Sequence, residues 1–81
     1  MPRPQSKRIQ RLQRALPKHG LDAVLVLNRD NTRYLTGFEG TYSILVVDRE
    51  EGIFVTDARY GEAAEKQLGD FLRVVVQPTR N

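Results

Sequence analysis

Apolar positions fall in short blocks separated by polar or glycine-bearing gaps, and the spacing inside each block predicts its element. Ile9, Leu12 and Leu16 recur at intervals of three and four, which is one face of a helix. Ser6 is placed to cap that helix. Residues 1–5 hold two prolines and read as a flexible N-terminal arm. Pro17 removes a donor and crowds the preceding turn, so the helix ends or distorts there, and Gly20 supplies a left-handed stop. Ala23-Val24-Leu25-Val26-Leu27 is an unbroken apolar run with β-branched content. It predicts a strand buried on both faces and internal to its sheet. On that reading, Leu25→Ala costs about 2–5 kcal/mol.

Asn28 or Asp30 is placed to cap a short helical turn over Asn31–Leu35, and Gly37 and Gly40 bracket a loop. Ser43–Asp48 and Gly52–Thr56 read as two strands, and the short polar turn between them makes the pair an antiparallel hairpin. Its carboxylates, Asp48, Glu50 and Glu51, read as a solvated hairpin tip rather than an acid–base pair. Asp57 is placed to cap a helix through Leu68. Tyr60, Ala64, Gln67 and Leu68 would share one side, Glu62 and Lys66 would pair, and Gly61 would lie inside the helix. Gly69 ends it, and Leu72–Val76 is a last strand stopped by Pro78. The order α-β-α-β-β-α-β predicts an α/β fold, a mixed sheet flanked by helices.

Composition narrows the chemistry. The 81 residues fit one domain or a piece of one. No cysteine is present, which excludes disulfides and thiolate metal sites, and His19 is the only imidazole. His19 reads as a helix-terminal side chain interacting with the helix dipole. No apolar run approaches the roughly 20 residues of a spanning helix. The net charge of +3 is unevenly spread. Residues 1–20 carry six bases (Arg3, Lys7, Arg8, Arg11, Arg14 and Lys18) and no acid, whereas the rest carries seven bases against ten acids. Lys7, Arg11, Arg14 and Lys18 fall opposite the apolar face of the first helix, so the stripe reads as a solvated side. An organelle-targeting peptide and a polyanion contact are the alternatives, and a secretory signal is excluded by the missing apolar segment. There is no glycine-rich phosphate loop and no nucleophile elbow. The residues by themselves show no self-contained active site.

Two motifs say more. Asn31-Thr32-Arg33-Tyr34-Leu35-Thr36-Gly37-Phe38 resembles the N-x-x-Y-L-T-G-F signature of the N-terminal domain of the creatinase/prolidase/Xaa-Pro aminopeptidase family. Thr56-Asp57-Ala58-Arg59-Tyr60 resembles that domain's T-D-x-R-Y motif. Arg8–Leu12 and Lys18–Val26 are similar to its opening helix, turn and first strand, and the resemblance runs from residue 8 to about 76. It implies an α/β unit that precedes a larger, "pita-bread" catalytic domain. That domain would hold two divalent metals, manganese, cobalt or zinc, and the parent would be a cytoplasmic dimeric enzyme acting on proline-containing peptides. The implied partners are that catalytic domain and a second subunit, with nucleic acid and membrane not among them. This chain would be a non-catalytic, truncated N-terminal domain (residues 6–81) serving the oligomer interface and substrate access, with no metal and no cofactor of its own. The alternative is a stand-alone interaction module of a peptidase-like protein that has lost catalysis.

The resemblance also assigns residues. Phe38, Glu39, Thr41 and Tyr42 form a loop that would reach a neighbouring subunit's substrate. Gly37 needs positive φ or close approach. Tyr34 and Leu35 pack the helical turn onto the sheet, Asp57 caps the third helix, and Arg59 pairs with a carboxylate or carbonyl. Asn31 and Tyr60 complete the motif set as structural positions.

Overall fold

The computed structural model describes residues 4–40 and 42–78. Among them the chain forms α1 (Pro4–Ala15), a 3-10 turn (Pro17–His19), β1 (Ala23–Val26), α2 (Arg29–Thr36), β2 (Ser43–Asp48), β3 (Gly52–Asp57), α3 (Gly61–Leu68) and β4 (Arg73–Gln77). The sheet order is β1-β2-β3-β4. The first two pairings are antiparallel and β3–β4 is parallel, so the sheet is mixed. The parallel step follows from α3, because a crossover helix returns the chain to the same end of the sheet.

All three helices cover one face. Ile9 of α1, Leu45 and Val47 of β2, Phe54 of β3, Ala64 and Leu68 of α3, Phe38 and Leu72 form the buried core. Leu12, Leu35, Val24, Val26 and Val74 pack against it. The period of α1 is thus as expected, with Ile9 and Leu16 buried and Lys7, Arg11, Arg14 and Lys18 exposed.

The helix begins earlier than the Ser6 cap implied. Pro4 and Gln5 belong to its first turn, where proline's missing N–H costs nothing. Pro17 does end it, passing the chain into the 3-10 turn, and Gly20 closes that turn at φ 70°.

The larger correction concerns β1. Among the described residues it is an edge strand, paired only with β2, and its burial alternates. Leu25 is 58% exposed. An unbroken apolar run signals burial on both faces only if helices cover both, and here they cover one.

α3 also departs from expectation. It starts at Gly61, and no side chain caps it. Gly61 is its first residue, buried against β4, where an added Cβ would lie 2.7 Å from Val76 Cγ2. Ala64 and Leu68 are buried, whereas Gln67 is exposed. The Glu62–Lys66 pair forms at 3.6 Å on the solvent side.

Candidate functional site

Both signature motifs converge on the segment that joins α2 to β2. Asn28, in extended conformation, caps α2 by accepting a hydrogen bond from Asn31 N–H at 3.1 Å. Asp30 lies in the first helical turn, where its charge complements the helix dipole. Asn31 is exposed. The helix ends at Gly37, whose φ of 77° is the left-handed conformation that only glycine adopts without strain.

Two threonines hold the loop beyond Gly37. Thr36 Oγ1 donates to Thr32 O (2.7 Å) and accepts from Phe38 N–H (3.0 Å). Thr56 Oγ1 donates to Tyr42 O at 2.8 Å. Each motif thus contributes one buried hydroxyl that bonds this loop, and the pair clamps its two ends. Sequence reading missed both. The available signal was a threonine beside a loop glycine and a threonine on the buried register of β3, positions where a hydroxyl survives burial only by finding partners.

Phe38 is not a loop-tip contact. It is 5% exposed, with its ring edge-on to Phe54 (centroids 5.3 Å apart) and to Tyr60 (6.3 Å). A phenylalanine just past a helix-ending turn swings back under the helix because the open face of the core needs filling. Glu39 and Tyr42 are exposed, as the loop reading requires, but neither is free. Glu39 pairs with Arg33 (3.2 Å), and Tyr42 O–H donates to Gln77 Oε1 (3.2 Å). Thr41 lies outside the described residues.

The other motif residues have structural employment. Tyr34 does not pack onto the sheet. It is exposed, with the Arg8 guanidinium 4.2 Å from its ring centroid and Arg8 Nη1 donating to its carbonyl at 2.7 Å. Leu35 does pack inward. Asp57 does not cap α3. It accepts from Arg59 N–H (3.0 Å) and from the Arg59 guanidinium at 3.0 and 2.7 Å, forming a turn ahead of the helix. Those bonds favour the ionised carboxyl, so Asp57 lies below the usual carboxylate range and Arg59 above its ordinary value. Asp48 is lowered likewise, by the N–H groups of Glu51 and Glu50 in the hairpin turn.

These elements leave a cleft of about 500 Å³ between the start of α2 and the loop. Asn28, Asp30, Thr32, Arg33, Glu39 and Ser43 are among its walls. Both charge signs are present, and Thr32 Oγ1 lies buried there without a hydrogen-bond partner. Such a lining suits hydrogen bonding to a polar chain. His19 does not line it and sits exposed in the 3-10 turn. Among the described residues, no three His, Cys, Asp or Glu side chains converge as metal ligands. A two-metal hydrolytic centre needs several such donors around ions about 3.5–4 Å apart, and this donor set does not fit one.

Comparison with known proteins agrees with the geometry. The Creatinase/Prolidase N-terminal domain family matches residues 8–80. The chain is 33% identical over 64 residues to the uncharacterized peptidase YqhT of Bacillus subtilis, covering 79% of this chain and 18% of YqhT. An Xaa-Pro dipeptidase from Bacillus anthracis superposes with a TM-score of 0.81 at 32% identity, over 90% of this chain and 20% of that one. The N-terminal domain of the cytoplasmic peptidase PepQ from Mycobacterium tuberculosis H37Rv does so at 0.79 and 34% identity, over 88% of this chain and 55% of that domain. The chain therefore spans about a fifth of the full-length relatives and about half of the solved domain. With its two motifs, its mixed sheet and its residues 8–80 accounted for, the chain belongs to the creatinase/prolidase N-terminal domain family.

Proposed function

We propose that this chain is the non-catalytic N-terminal unit of an Xaa-Pro peptidase, shaping substrate access to a two-metal site carried by a separate C-terminal domain and contributing to the oligomer interface. The clamped loop carries the reading. Thr36 and Thr56 fix both its ends, while Glu39 and Tyr42 stand exposed beside a polar cleft. A rigid base with an exposed polar rim holds a peptide's position without doing chemistry on it. Support comes also from the relatives, which include an Xaa-Pro dipeptidase and the domain of a cytoplasmic peptidase. The proposed parent is cytoplasmic, its cofactors are two divalent metals, and its substrates are proline-containing peptides. No step of hydrolysis is assigned to residues of this chain.

The test is a chimera. This chain replaces the matching fifth of the Bacillus anthracis dipeptidase, and Glu39→Ala and Tyr42→Ala are introduced separately. The expected result is reduced kcat/KM for Xaa-Pro peptides with bound metal unchanged. Full activity in both variants would remove the loop from substrate access. Metal loss in either would make its role structural.

A further inference from the structure

The charge of α1 lies along one line. At about 100° per residue, Lys7, Arg11 and Arg14 fall within an arc of about 60°, opposite the core residue Ile9, and Lys18 follows in the 3-10 turn. All four are exposed. At about 1.5 Å per residue they succeed one another at steps of about 6, 4.5 and 6 Å, a row roughly 16 Å long. Among the described residues, no acidic side chain pairs with any of them, whereas Arg33, Arg49, Arg59, Lys66 and Arg73 each meet a carboxylate. Residues 1–20 contain no acid at all. The row works against its own helix. Like charges at i and i+4 (Lys7 and Arg11) repel, and the first turn of α1 holds a base where the helix dipole favours an acid. A face kept only for solvation alternates its signs, as Glu62 and Lys66 do on α3. A removable targeting segment fails as the explanation, because Ile9 belongs to the core and Leu16 is buried.

We propose that α1 docks this chain on the phosphate backbone of duplex DNA, without regard to base sequence. The shape of the positive region selects that occupant. Glu50, Glu51 and Asp70 wall a pocket beside Gln10 and Gln13, so on that flank the positive charge stops at the edge of the helix. A row of bases matches a row of phosphates, whereas a flat anionic membrane would meet those acids as well. Nor does α1 have an apolar side to insert in lipid, since Ile9 and Leu16 are buried in the fold. Single strands are held by stacking on aromatic rings, and the row carries none. Duplex RNA is gripped across successive minor grooves over about 16 base pairs, farther than this row reaches. A groove of about 430 Å³ runs along the row, walled by Gln10, Gln13, Arg14, Pro17 and Arg49, with no acid among them. Its amide and guanidinium donors suit phosphate and sugar oxygens. Arg49 is steadied there by Leu21 O (3.0 Å) and Asp22 (3.4 Å). Sequence independence follows from how α1 sits: with one side packed on the sheet, it cannot sink into the major groove to read base edges. This contact is separate from the peptidase reading, because none of the four bases lines the cleft beside the loop.

The test is fluorescence anisotropy of labelled DNA duplexes of two unrelated sequences, titrated with the 81-residue chain across salt. Both sequences should bind alike. The logarithm of the binding constant should fall linearly with the logarithm of salt at a slope of about −3.6, for four phosphates at about 0.9 each. That is a loss of roughly 150-fold between about 50 and 200 mM salt. Arg11→Gln/Arg14→Gln should weaken binding at least tenfold at the lowest salt and reduce the slope by about 2, whereas Arg11→Lys/Arg14→Lys should retain both. Lys66→Gln/Arg73→Gln removes the same charge from paired positions and should leave the slope unchanged. Circular dichroism checks each fold; if the first variant loses its helical signal, Lys7→Gln/Lys18→Gln takes its place with the same expected losses. Absence of binding at about 50 mM salt, or a slope near zero, would overturn the proposal. So would equal losses in the Lys66/Arg73 variant, which would make net charge the cause. A more than tenfold preference for one sequence would overturn it as base readout. Binding to phosphatidylserine vesicles without binding to DNA would overturn it in favour of a membrane surface.

Discussion

Replacing Phe38 with alanine separates a core residue from a loop contact, because the two readings of that position differ by several kcal/mol. The ring is 5% exposed and meets Phe54 and Tyr60 edge-on at 5.3 and 6.3 Å. Truncating a buried phenylalanine costs about 3–5 kcal/mol, of which each aromatic pair supplies about 0.5–1.5. A domain of this length has about 4–12 kcal/mol in total, at roughly 0.05–0.15 per residue. Phe38→Ala should therefore remove much of the stability and lower Tm by at least about 10 °C, at about 4–8 °C per kcal/mol. The comparison variant is Leu25→Ala. As the central residue of an apolar run it would cost as much as any core leucine, but at 58% exposure it should cost under about 1 kcal/mol. Urea melts of both variants, read by circular dichroism at low micromolar concentration so that association does not contribute, decide the matter. A Phe38→Ala protein within about 1 kcal/mol of wild type would refute the packing described here. Equal losses in the two variants would restore β1 to the sheet interior.

Three further outcomes rest on particular contacts. Gly37→Ala forces a side chain into φ 77° and should cost about 1–2 kcal/mol in the same melts, even if the nearby Gln5 amide moves aside; a neutral result would mean that the turn relaxes. Asp57 and Asp48 are both lowered, so the native state binds their protons less readily than the unfolded chain. Their contribution is present above about pH 4 and is lost as acid takes the pH through the folded pKa values, so urea midpoints should fall on acidification and Asp57→Asn should flatten that limb. An acid limb unchanged in Asp57→Asn would remove Asp57 from it. Adding Mn²⁺, Co²⁺ or Zn²⁺ should leave Tm unchanged, because a ligand stabilises only by binding the native state, and a saturable rise with one metal per chain would contradict the donor inventory.

Local chemistry was readable wherever it depends on near neighbours in the chain. The 3.6-residue period of α1, the stop at Pro17 and Gly20, a cap at Asn28 or Asp30 (Asn28 takes it), a special backbone at Gly37, the β2–β3 hairpin and the Glu62–Lys66 pair each involve residues close in the chain. Their energetics are fixed by backbone geometry whatever surrounds them. The two motifs, in order and with the opening segment, also carried the family, whose match runs over residues 8–80.

Which side of each element meets another was settled by packing across the chain. Ala23–Leu27 carries no mark of whether one or two of its faces are covered; that depends on three helices choosing the same side of the sheet. Phe38 reads as a loop residue until the core beneath α2 is seen to need a ring. Asp57 stands where a cap belongs, but Arg59 is nearer and charged, so the carboxylate turns to it and α3 begins uncapped. The clamp depends on Thr56 reaching Tyr42 O, 14 positions back along the chain. The order of residues was enough for the elements, most of their ends and the family. Burial needed the assembled fold, because burial is a property of the surface two elements share and is written in neither one alone.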